Sequence, residues 1–396
     1  MPPRTFTEAR RIIHERVLAA REPLTETVRM ENAHGRVMAE GAQADRDYPP
    51  LPRSIRDGYA VRAADLPGRL TVAGEIRAGQ PAGAELLPGQ AMAIMTGAPV
   101  PAGADAVVMI EHTTREGDEV VTDRAPQPGE FIDPRGAEAR QGETLLASGT
   151  RLGFPQIALL ATIGKTQVRV FRRPGVAIIS TGDEVVDIHA SVQPYQVRNS
   201  NARTLAVQVQ RAGGLPVIFP VARDETEHTQ SLIEDGLRYD ILLLSGGVSA
   251  GKYDIVEPVL ESLGAEFYFD RVLIQPGQPL VFGRAGRTFV FGLPGNPAST
   301  MVTFEVFARA AVELLAGQPE SILPLAWARL ATEFRHKPGL TRFLPARLSP
   351  STGELTPVPS QGSSDVPALA RSNCFLVADA ARESWQAGDF IQVLIQ

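Results

Sequence analysis

The chain has 396 residues, and it lacks or has few of several residue types and motifs that mark common classes of protein. Its one cysteine, Cys374, excludes an internal disulfide framework and a cysteine-based zinc site, and it is typical of a reducing cytoplasm. The six histidines are scattered, with no pair three or four residues apart, so a histidine metal centre is not expected. No Gly-x-Ser-x-Gly motif is present to support a serine hydrolase of that type.

The chain also lacks long apolar runs and an excess of positive charge. No stretch of about 18 apolar residues is present, and the first residues contain no apolar core of signal-peptide length. The sequence therefore predicts a cytoplasmic protein that neither spans nor binds a membrane. The formal net charge of −6 argues against non-specific nucleic-acid binding, because phosphates require a basic surface. An anionic ligand must be held locally, by backbone N–H groups or a few placed cations.

The pattern of apolar residues predicts a multidomain protein of α/β and β parts. Residues 1–47 and 140–170 each contain a helical pattern and are predicted to be the two halves of one linker or dimerisation domain. Residues 48–139 alternate β-like runs with Gly/Pro corners, which indicates an inserted all-β domain. In residues 171–317, apolar strands alternate with helices, which predicts an α/β domain with a mostly parallel sheet covered on both faces. Residues 318–396 predict a C-terminal β-barrel-like domain.

The first helix is expected over residues 5–21. The apolar face is expected to carry Ile12, Ile13, Val17 and Leu18, and Thr7 is the expected N-cap. This helix is expected to pack against a second short helix within residues 151–170, on the far side of the β insertion. That contact would join the two halves of the discontinuous domain.

Polar residues and glycines follow the predicted strands of the α/β region, at the sheet edge where ligands bind in such folds. The runs are STGDE, ARDE, SGGVSAGKYD and GLPGNPAST. Gly246 and Gly247 allow the backbone to approach a ligand, so that its N–H groups converge on an oxyanion; an ordinary Gly-rich turn is the competing interpretation. The stretches GLPGNPAST and VRNSNA also fit plain strand-to-helix corners with capping residues.

Four carboxylates lie within these runs: Asp183, Glu184, Asp224 and Asp254. Mg²⁺ takes one or two carboxylates together with phosphate oxygens of a substrate. Each acid alone also fits the start of a helix, where the dipole favours negative charge. Convergence of three strand ends favours a metal or general-base site over that reading.

Three other stretches are unusual without being informative on their own. PPLPRSIRDGYAV places Asp57 before a glycine, IMTGAPVPAGADAVVMIE places Thr96 at a Thr-Gly corner, and both fit β-turns. RVLIQPGQPLVFG places two neutral amides, Gln275 and Gln278, at a rigid corner between two apolar runs.

Seven motifs together carry a resemblance to a known family: PPLPRSIRDGYAV, IMTGAPVPAGADAVVMIE, RPGVAIISTGDEVV, VRNSNA, LLLSGGVSAGKYD, PGQP and FGLPGNPAST. These motifs resemble those of the molybdopterin molybdenumtransferases, which include bacterial MoeA and the E domain of gephyrin. They occur in the same order as in that family and span nearly the whole chain. The resemblance implies an Mg²⁺-dependent enzyme that inserts molybdate into adenylylated molybdopterin and releases AMP. It also implies a homodimer whose active cleft is shared between the α/β domain of one chain and the β domain of the other.

The resemblance also implies roles for residues at matching positions. Asp57, Glu184 and Asp254 are the implied catalytic residues, and Asp224 and Asp254 are the implied Mg²⁺ ligands. The implied substrate-binding residues are Thr96, Glu138, Ser180, Thr181, Asn199, Asn201, Ser245, Gly246, Gly247, Ser249, Gln275, Gln278, Pro294 and Ser363.

The chain departs from the family pattern in several motifs. It reads Ser-Ile-Arg instead of Ser-Ala-Met before Asp57, and Gly-Ala-Glu-Ala instead of Gly-Glu-Asp around Glu138. The family's Phe-x-Arg pattern in the last domain is Phe-Leu-Pro here, and Arg342 and Arg347 are both candidates to replace its arginine.

The most consequential departure is that Gln275 and Gln278 stand where the family usually has lysines that are expected to contact molybdate. A hydrogen bond to a charged group contributes about 1.5–3 kcal/mol, against about 0.5–1.5 kcal/mol for a neutral pair. The two amides are therefore expected to weaken oxyanion binding roughly 10- to 100-fold. Arg271 and Lys252 are the nearest cations in the sequence.

Two other functions remain open on the sequence. One is a catalytically weak or inactive paralogue that binds molybdopterin or acts as a scaffold. The other is a sister enzyme that adenylylates molybdopterin, whose family shares the α/β domain but lacks the β insertion and the tail.

Overall fold

The computed structural model describes residues 1–223, 225–247 and 256–396. The first part of the chain is dominated by short strands. Its elements are α1 (Phe6–Ala20), β1 (Thr25–Arg29), β2 (Ala42–Gln43), β3 (Arg53–Ser54), β4 (Gly58–Val61), β5 (Gly68–Ile76), β6 (Gln90–Ile94), β7 (Ala106–Met109), β8 (Thr114–Glu116), β9 (Glu119–Thr122), β10 (Ile132–Asp133), β11 (Thr144–Leu146), α2 (Phe154–Thr162) and β12 (Gln167–Phe171).

Strands and helices alternate in the middle of the chain. The elements are β13 (Gly175–Ser180), β14 (Val185–Val186), β15 (Val197–Arg198), α3 (Ser200–Ala212), β16 (Leu215–Ile218), α4 (Thr226–Gly236), β17 (Ile241–Ser245), α5 (Val256–Ser262), β18 (Ala265–Arg271), β19 (Ile274–Gln275), β20 (Pro279–Ala285), β21 (Thr288–Leu293), α6 (Pro297–Thr303) and α7 (Arg309–Leu315). One π-helical turn, Phe304–Ala308, joins α6 to α7.

The last part returns to strands. Its elements are β22 (Leu325–Leu330), β23 (Phe334–Arg335), β24 (Thr341–Leu348), β25 (Glu354–Pro357), α8 (Val366–Arg371), β26 (Cys374–Ala378), β27 (Ser384–Trp385) and β28 (Phe390–Ile395). Among the residues described, no helix is both long and apolar enough to cross a bilayer.

The central sheet has the strand order β16-β13-β17-β21-β20-β18. The first four strands are parallel, and β20 and β18 add an antiparallel edge. Every residue of β17 and β21 is buried, as the continuous apolar runs predicted for strands covered on both faces. Helices α3, α6 and α7 cover one face and α4 and α5 the other. The mixed α/β and β architecture expected from the sequence is present.

The other two large sheets are all-β. Strands β7-β4-β6-β5-β9-β8 form the sheet of residues 48–139. In the last part, β24, β25, β22, β28 and β26 pair in a ring that closes through β24 and β26. Strand β19, from the central part of the chain, pairs in parallel with β24 and so fastens this barrel to the central sheet.

Helix α1 begins at a capping box. Thr5, rather than Thr7, is its N-cap: the Thr5 hydroxyl accepts from the Glu8 N–H at 3.3 Å, and the Glu8 carboxylate accepts from the Thr5 N–H at 2.9 Å. The prediction of Thr7 was wrong because the acid three residues after Thr5 satisfies two otherwise unpaired N–H groups at once.

The packing of α1 also differs from the prediction. Ile13 and Val17 are fully buried in the core that contains α3, α6 and α7, and α1 packs against α7 rather than α2. Ile12 is partly buried against this core, whereas Leu18 is exposed, so its predicted place on the apolar face was wrong. Arg21 secures this contact by donating to the carbonyls of Leu314 and Gln318. The two segments that flank the β insertion are joined instead by strands, because β1 pairs with β12 and β2 with β11.

The corner between β19 and β20 is packed too tightly for any side chain at its glycine. Gly277 has φ +100°, and a Cβ there would lie 2.4 Å from Cγ2 of the buried Thr303 on α6. Gly339 has a similar φ of +107° but no atom within 4 Å of such a Cβ. Of these two glycines, Gly277 therefore combines a left-handed backbone with a steric limit, and Gly339 has the left-handed backbone without it.

We expect Gly277→Ala to lower the free energy of unfolding by about 1–3 kcal/mol more than Gly339→Ala. Both substitutions introduce the strain of a positive φ, but only the first adds overpacking against α6. Calorimetric melting of the two variants measures the difference. Equal losses of stability would contradict the tight packing of this corner.

Candidate active site

Three neighbouring parallel strands end in one register row at the carboxyl edge of the central sheet. Ser180 of β13 pairs with Ser245 of β17, and Ser245 pairs with Leu293 of β21. The Ser180 hydroxyl lies 3.0 Å from that of Ser245 and donates to Oδ1 of Asn199 at 2.9 Å. These three predicted site residues therefore form one buried polar network.

Helix α3 starts at this network and carries two asparagines with different tasks. Asn199 is the N-cap, since its Oδ1 also accepts from the Ala202 N–H at 3.0 Å. Asn201, in the first turn, donates from Nδ2 to the carbonyl of Gly295 at 2.7 Å. Its Oδ1 is buried without a hydrogen-bond partner in the described structure. Such an acceptor is costly to leave unpaired, so it marks a position for a ligand donor.

The two glycines after β17 pack against Thr181. Both have positive φ, and a Cβ on either would lie 2.9 Å from the Thr181 hydroxyl. The Gly246 N–H donates to the carbonyl of Leu293 at 3.0 Å, so it is not free to bind an oxyanion as the sequence analysis expected. Here Gly246 fixes β17 to β21, and close packing on Thr181 explains why both positions are glycine.

The corner after β21 is fastened from two sides. The Thr300 hydroxyl of α6 donates to the Pro294 carbonyl at 2.6 Å. Ser363, from the C-terminal part of the chain, accepts from Asn296 Nδ2 at 2.9 Å and, through its carbonyl, from the Ala298 N–H at 2.9 Å. Asn296 is thus an N-cap by position only, because its side chain binds Ser363 instead of the helix. The predicted residues Pro294 and Ser363 are brought together here.

Glu184 lies exposed in the loop after β13, on the turn that leads into β14. A cavity of 630 Å³ opens beside this loop, with an apolar wall that includes Ile218 and Phe219. Arg203, Arg223 and His228 also line it, and sequence reasoning singled out none of them. The available signal was position, since Arg203 follows Asn199 by one helical turn.

Asp57 and Thr96, which looked like turn residues in the sequence, form one unit. The Asp57 carboxylate accepts from the Thr96 N–H at 2.6 Å and from its hydroxyl at 2.9 Å. These bonds, first from the N–H and then from the hydroxyl, lower the pKa of Asp57 and keep the exposed carboxylate ionised. The next residue, Gly58, must be glycine because a Cβ there would lie 1.9 Å from the Val108 carbonyl oxygen. It marks close strand packing rather than a turn.

Glu138 binds Arg53 in an ion pair that also includes Asp133. All three belong to the β insertion and its border, and Arg53 and Asp133 lie opposite each other in the β3–β10 pair. In this chain, the carboxylate of Glu138 therefore stabilises the local β structure.

The glutamine corner lies between the central sheet and the barrel. Gln275 and Gln278 are exposed, and the Gln278 carbonyl accepts from the Val272 N–H at 2.9 Å. Gln275 pairs in register with Arg342 of β24. The other candidate arginine, Arg347, lies further along the same strand, opposite Thr356.

Three predicted site residues, Asp224, Ser249 and Asp254, lie outside the described residues, as does Lys252. Within the described ranges, no group of three or more His, Cys, Asp or Glu residues is arranged to hold a metal ion. The predicted Mg²⁺ ligands therefore stay a prediction.

The chain matches family models along most of its length. The MoeA N-terminal region (domain I and II) matches residues 4–164, the probable molybdopterin binding domain residues 177–314, and the MoeA C-terminal region (domain IV) residues 327–395. A Bacillus subtilis protein named molybdopterin molybdenumtransferase is 37% identical over 387 residues, which cover 94% of this chain and 90% of that protein. A protein of the same name from Nostoc is 40% identical over 304 residues, covering 74% and 70%.

Solved structures agree with the sequence relatives. A Pyrococcus horikoshii structure described as a molybdopterin biosynthesis MoeA protein superposes with a TM-score of 0.85 and 27% identity over the full length of both chains. A second structure of a MoeA protein from this organism has a TM-score of 0.78 and 31% identity, covering 100% of this chain and 99% of that one. The matched regions, relatives and folds agree, and the chain belongs to the MoeA family of molybdopterin molybdenumtransferases.

Proposed function

We propose that the chain inserts molybdate into adenylylated molybdopterin, with Mg²⁺ as metal ion and AMP as product. The observation that carries the proposal is the buried polar row of Ser180 and Ser245 with Asn201 beside it, whose Oδ1 is buried and unpaired. The pterin ring of molybdopterin offers N–H donors for such an acceptor, and hydroxyl groups can bind the phosphate of molybdopterin. Relatives that match along nearly the whole chain bear the name of this reaction.

In the proposed reaction, the two dithiolene sulfurs bind molybdenum, and one molybdate oxygen leaves as water with the two thiol protons. A water oxygen forms a bond to the molybdopterin phosphorus as the phosphoanhydride bond to the adenylate breaks, and AMP leaves with the electron pair of that bond. Negative charge therefore grows on the leaving phosphate. We propose Asp224 and Asp254 as the ligands of an Mg²⁺ that would neutralise this charge, since Mg²⁺ needs only one or two protein carboxylates when phosphate supplies other ligands. Asn201 and Ser180 would orient the pterin and its phosphate against the metal.

We propose Asp57 and Glu184 as the residues that orient or deprotonate the attacking group. The Thr96 hydrogen bonds lower the pKa of Asp57 and keep it ionised, which suits it to orient the attacking group as a hydrogen-bond acceptor. Its hydrogen-bond partners are Thr96 and, through its carbonyl, the N–H of Ile110, all within the β insertion. We propose a homodimer whose cleft joins Asp57 of one chain to the α/β part of a second copy, as the family resemblance implies. We expect the proposed reaction to take place in the cytoplasm.

The alternative is a weak or inactive paralogue that binds molybdopterin or serves as a scaffold. The exposed amides Gln275 and Gln278, which carry no charge, favour this alternative over the adenylylating sister enzyme. The sister enzyme is disfavoured because this chain has matched regions on both sides of the molybdopterin-binding domain.

Release of AMP tests the proposed function directly. Supplied with adenylylated molybdopterin, Mg²⁺ and increasing molybdate, the wild-type chain is expected to release AMP in a molybdate-dependent manner. Asp254→Ala is expected to lower the rate and raise the Mg²⁺ requirement. Absence of AMP at millimolar molybdate would favour the scaffold alternative, and an unchanged Mg²⁺ requirement in Asp254→Ala would contradict the metal assignment.

The hydrogen bond from the Thr96 hydroxyl makes a prediction about pH. Thr96→Val removes one of the two groups that lower the pKa of Asp57, so this pKa rises toward its ordinary value. If ionised Asp57 is needed, the acidic limb of the pH profile of kcat/KM moves to higher pH. The move is partial because the Thr96 N–H, the larger cause, remains. Thr96→Ser keeps the hydroxyl and is expected to leave the limb in place; a limb unmoved in Thr96→Val would show that ionised Asp57 is not required.

Mixing inactive variants tests the shared cleft. Asp57→Asn and Glu184→Gln are each expected to lower kcat by about 10²–10⁴-fold as homodimers. After the two are mixed and allowed to exchange subunits, half of the dimers are mixed, and each carries one intact cleft. Activity should recover to about a quarter of the wild-type value. If the mixture stays as inactive as its components, each cleft draws both residues from one chain.

A further inference from the structure

Arg342 lies beside the first glutamine of the corner although the two residues are far apart in the sequence. Strand β19 pairs in parallel with β24, and the register places Gln275 directly opposite Arg342. Paired residues of neighbouring parallel strands point to the same face, and the strands lie about 4.8 Å apart. Gln275 is exposed and Arg342 is half-buried, so the register brings an accessible amide and a partly buried guanidinium to the same side of the barrel edge.

Among the residues that the structure describes, Arg342 has no partner for its charge. Its guanidinium makes no ion pair or hydrogen bond with any described residue, and its Nε is buried without an acceptor. A guanidinium offers five N–H donors and stays ionised at any physiological pH. A half-buried cation with an unmet donor is unfavourable unless an anion binds it.

We propose that Arg342 supplies the positive charge of the molybdate site at the Gln275–Gln278 corner. This inference rests on the proposed function and names the residue that makes the oxyanion affinity sufficient. The planar guanidinium can donate two parallel N–H bonds to two oxygens of a tetrahedral oxyanion. The Gln275 amide adds a neutral donor beside it. Gly277 holds the corner against α6, where no side chain fits.

Three other arginines are close enough to compare. Arg4 is half-buried and also has an unpaired, buried Nε, but it pairs with Val272 and not with a glutamine. Arg347 is on the same strand as Arg342 but opposite Thr356, five residues beyond the pair with Gln275. Arg271 lies opposite Pro279, next to the second glutamine, but it is exposed, so water and salt weaken its attraction for an anion. Arg342 alone combines the register pair with partial burial.

Removal of this charge has a specific expected effect. Arg342→Gln is expected to raise the molybdate concentration for half-maximal AMP release by about 10- to 100-fold, because a charged donor becomes neutral. The KM for adenylylated molybdopterin should stay within about twofold, a change of less than 0.5 kcal/mol. Arg347→Gln is the matched control and should behave as wild type, with Arg271→Gln causing a smaller loss than Arg342→Gln.

Relocation of the charge separates a binding role from a folding role. Gln275→Lys introduced into Arg342→Gln places an ammonium on the paired residue and is expected to restore the molybdate requirement. A structural role for Arg342 would not be rescued in this way. Gln275→Lys alone should lower the requirement of the wild-type chain.

Calorimetric titration of the same variants with molybdate alone distinguishes a failure of this inference from a failure of the proposed function. Weaker binding in Arg342→Gln with restored binding in the double variant supports the inference, even if no AMP is released and the proposed function fails. Equal molybdate affinity and equal requirement in Arg342→Gln and Arg347→Gln would overturn the inference while leaving the proposed function intact. The absence of molybdate binding to the wild-type chain at millimolar concentration would also overturn it.

Discussion

The candidate site depends on the register that places Ser180, Ser245 and Leu293 in one row across three parallel strands. Because the strands run in the same direction, every segment that leaves them starts at the same edge of the sheet. The backbone bond from the Gly246 N–H to the Leu293 carbonyl extends this row by one step beyond β17. A register shift of one residue would turn each hydroxyl to the opposite face and separate it from Asn199.

The rest of the site is assembled by contacts between distant parts of the chain. Ser363 holds the N-terminus of α6, and β24 aligns β19, so the barrel fixes both borders of the corner that contains Gln275. The ring of Phe6 lies 5.7 Å from Phe307 and 5.5 Å from Phe343, which joins α1, the central domain and the barrel in one core. A disturbance of the barrel is therefore expected to reach the site.

The spacing of apolar residues and the positions of the strand ends made much of the fold predictable from the sequence. The hydrogen-bond and packing partners of individual groups did not follow from local patterns. The apolar run of β17 and the hydroxyls that follow the strands could be located because both signals are local. The capping box at Thr5, the burial of α1 against α7 and the bond that occupies the Gly246 N–H depend on which groups meet in three dimensions. The Asp57–Thr96 pair likewise joins residues 39 positions apart, and each fits an ordinary turn when considered alone.

The positive charge that binds an oxyanion can come from any residue that lies close to the ligand in space, whatever its position in the sequence. An amide at position 275 removes a cation from one strand, yet the neighbouring strand presents a guanidinium at the paired position. A Coulomb attraction depends on distance and burial, so a partly buried Arg342 can act on the same anion that a lysine at 275 would bind. It differs from an ammonium in geometry, because its planar fork favours two oxygens at once. Loss of a family lysine is therefore weak evidence for loss of activity when a register partner without a counter-charge stands beside it.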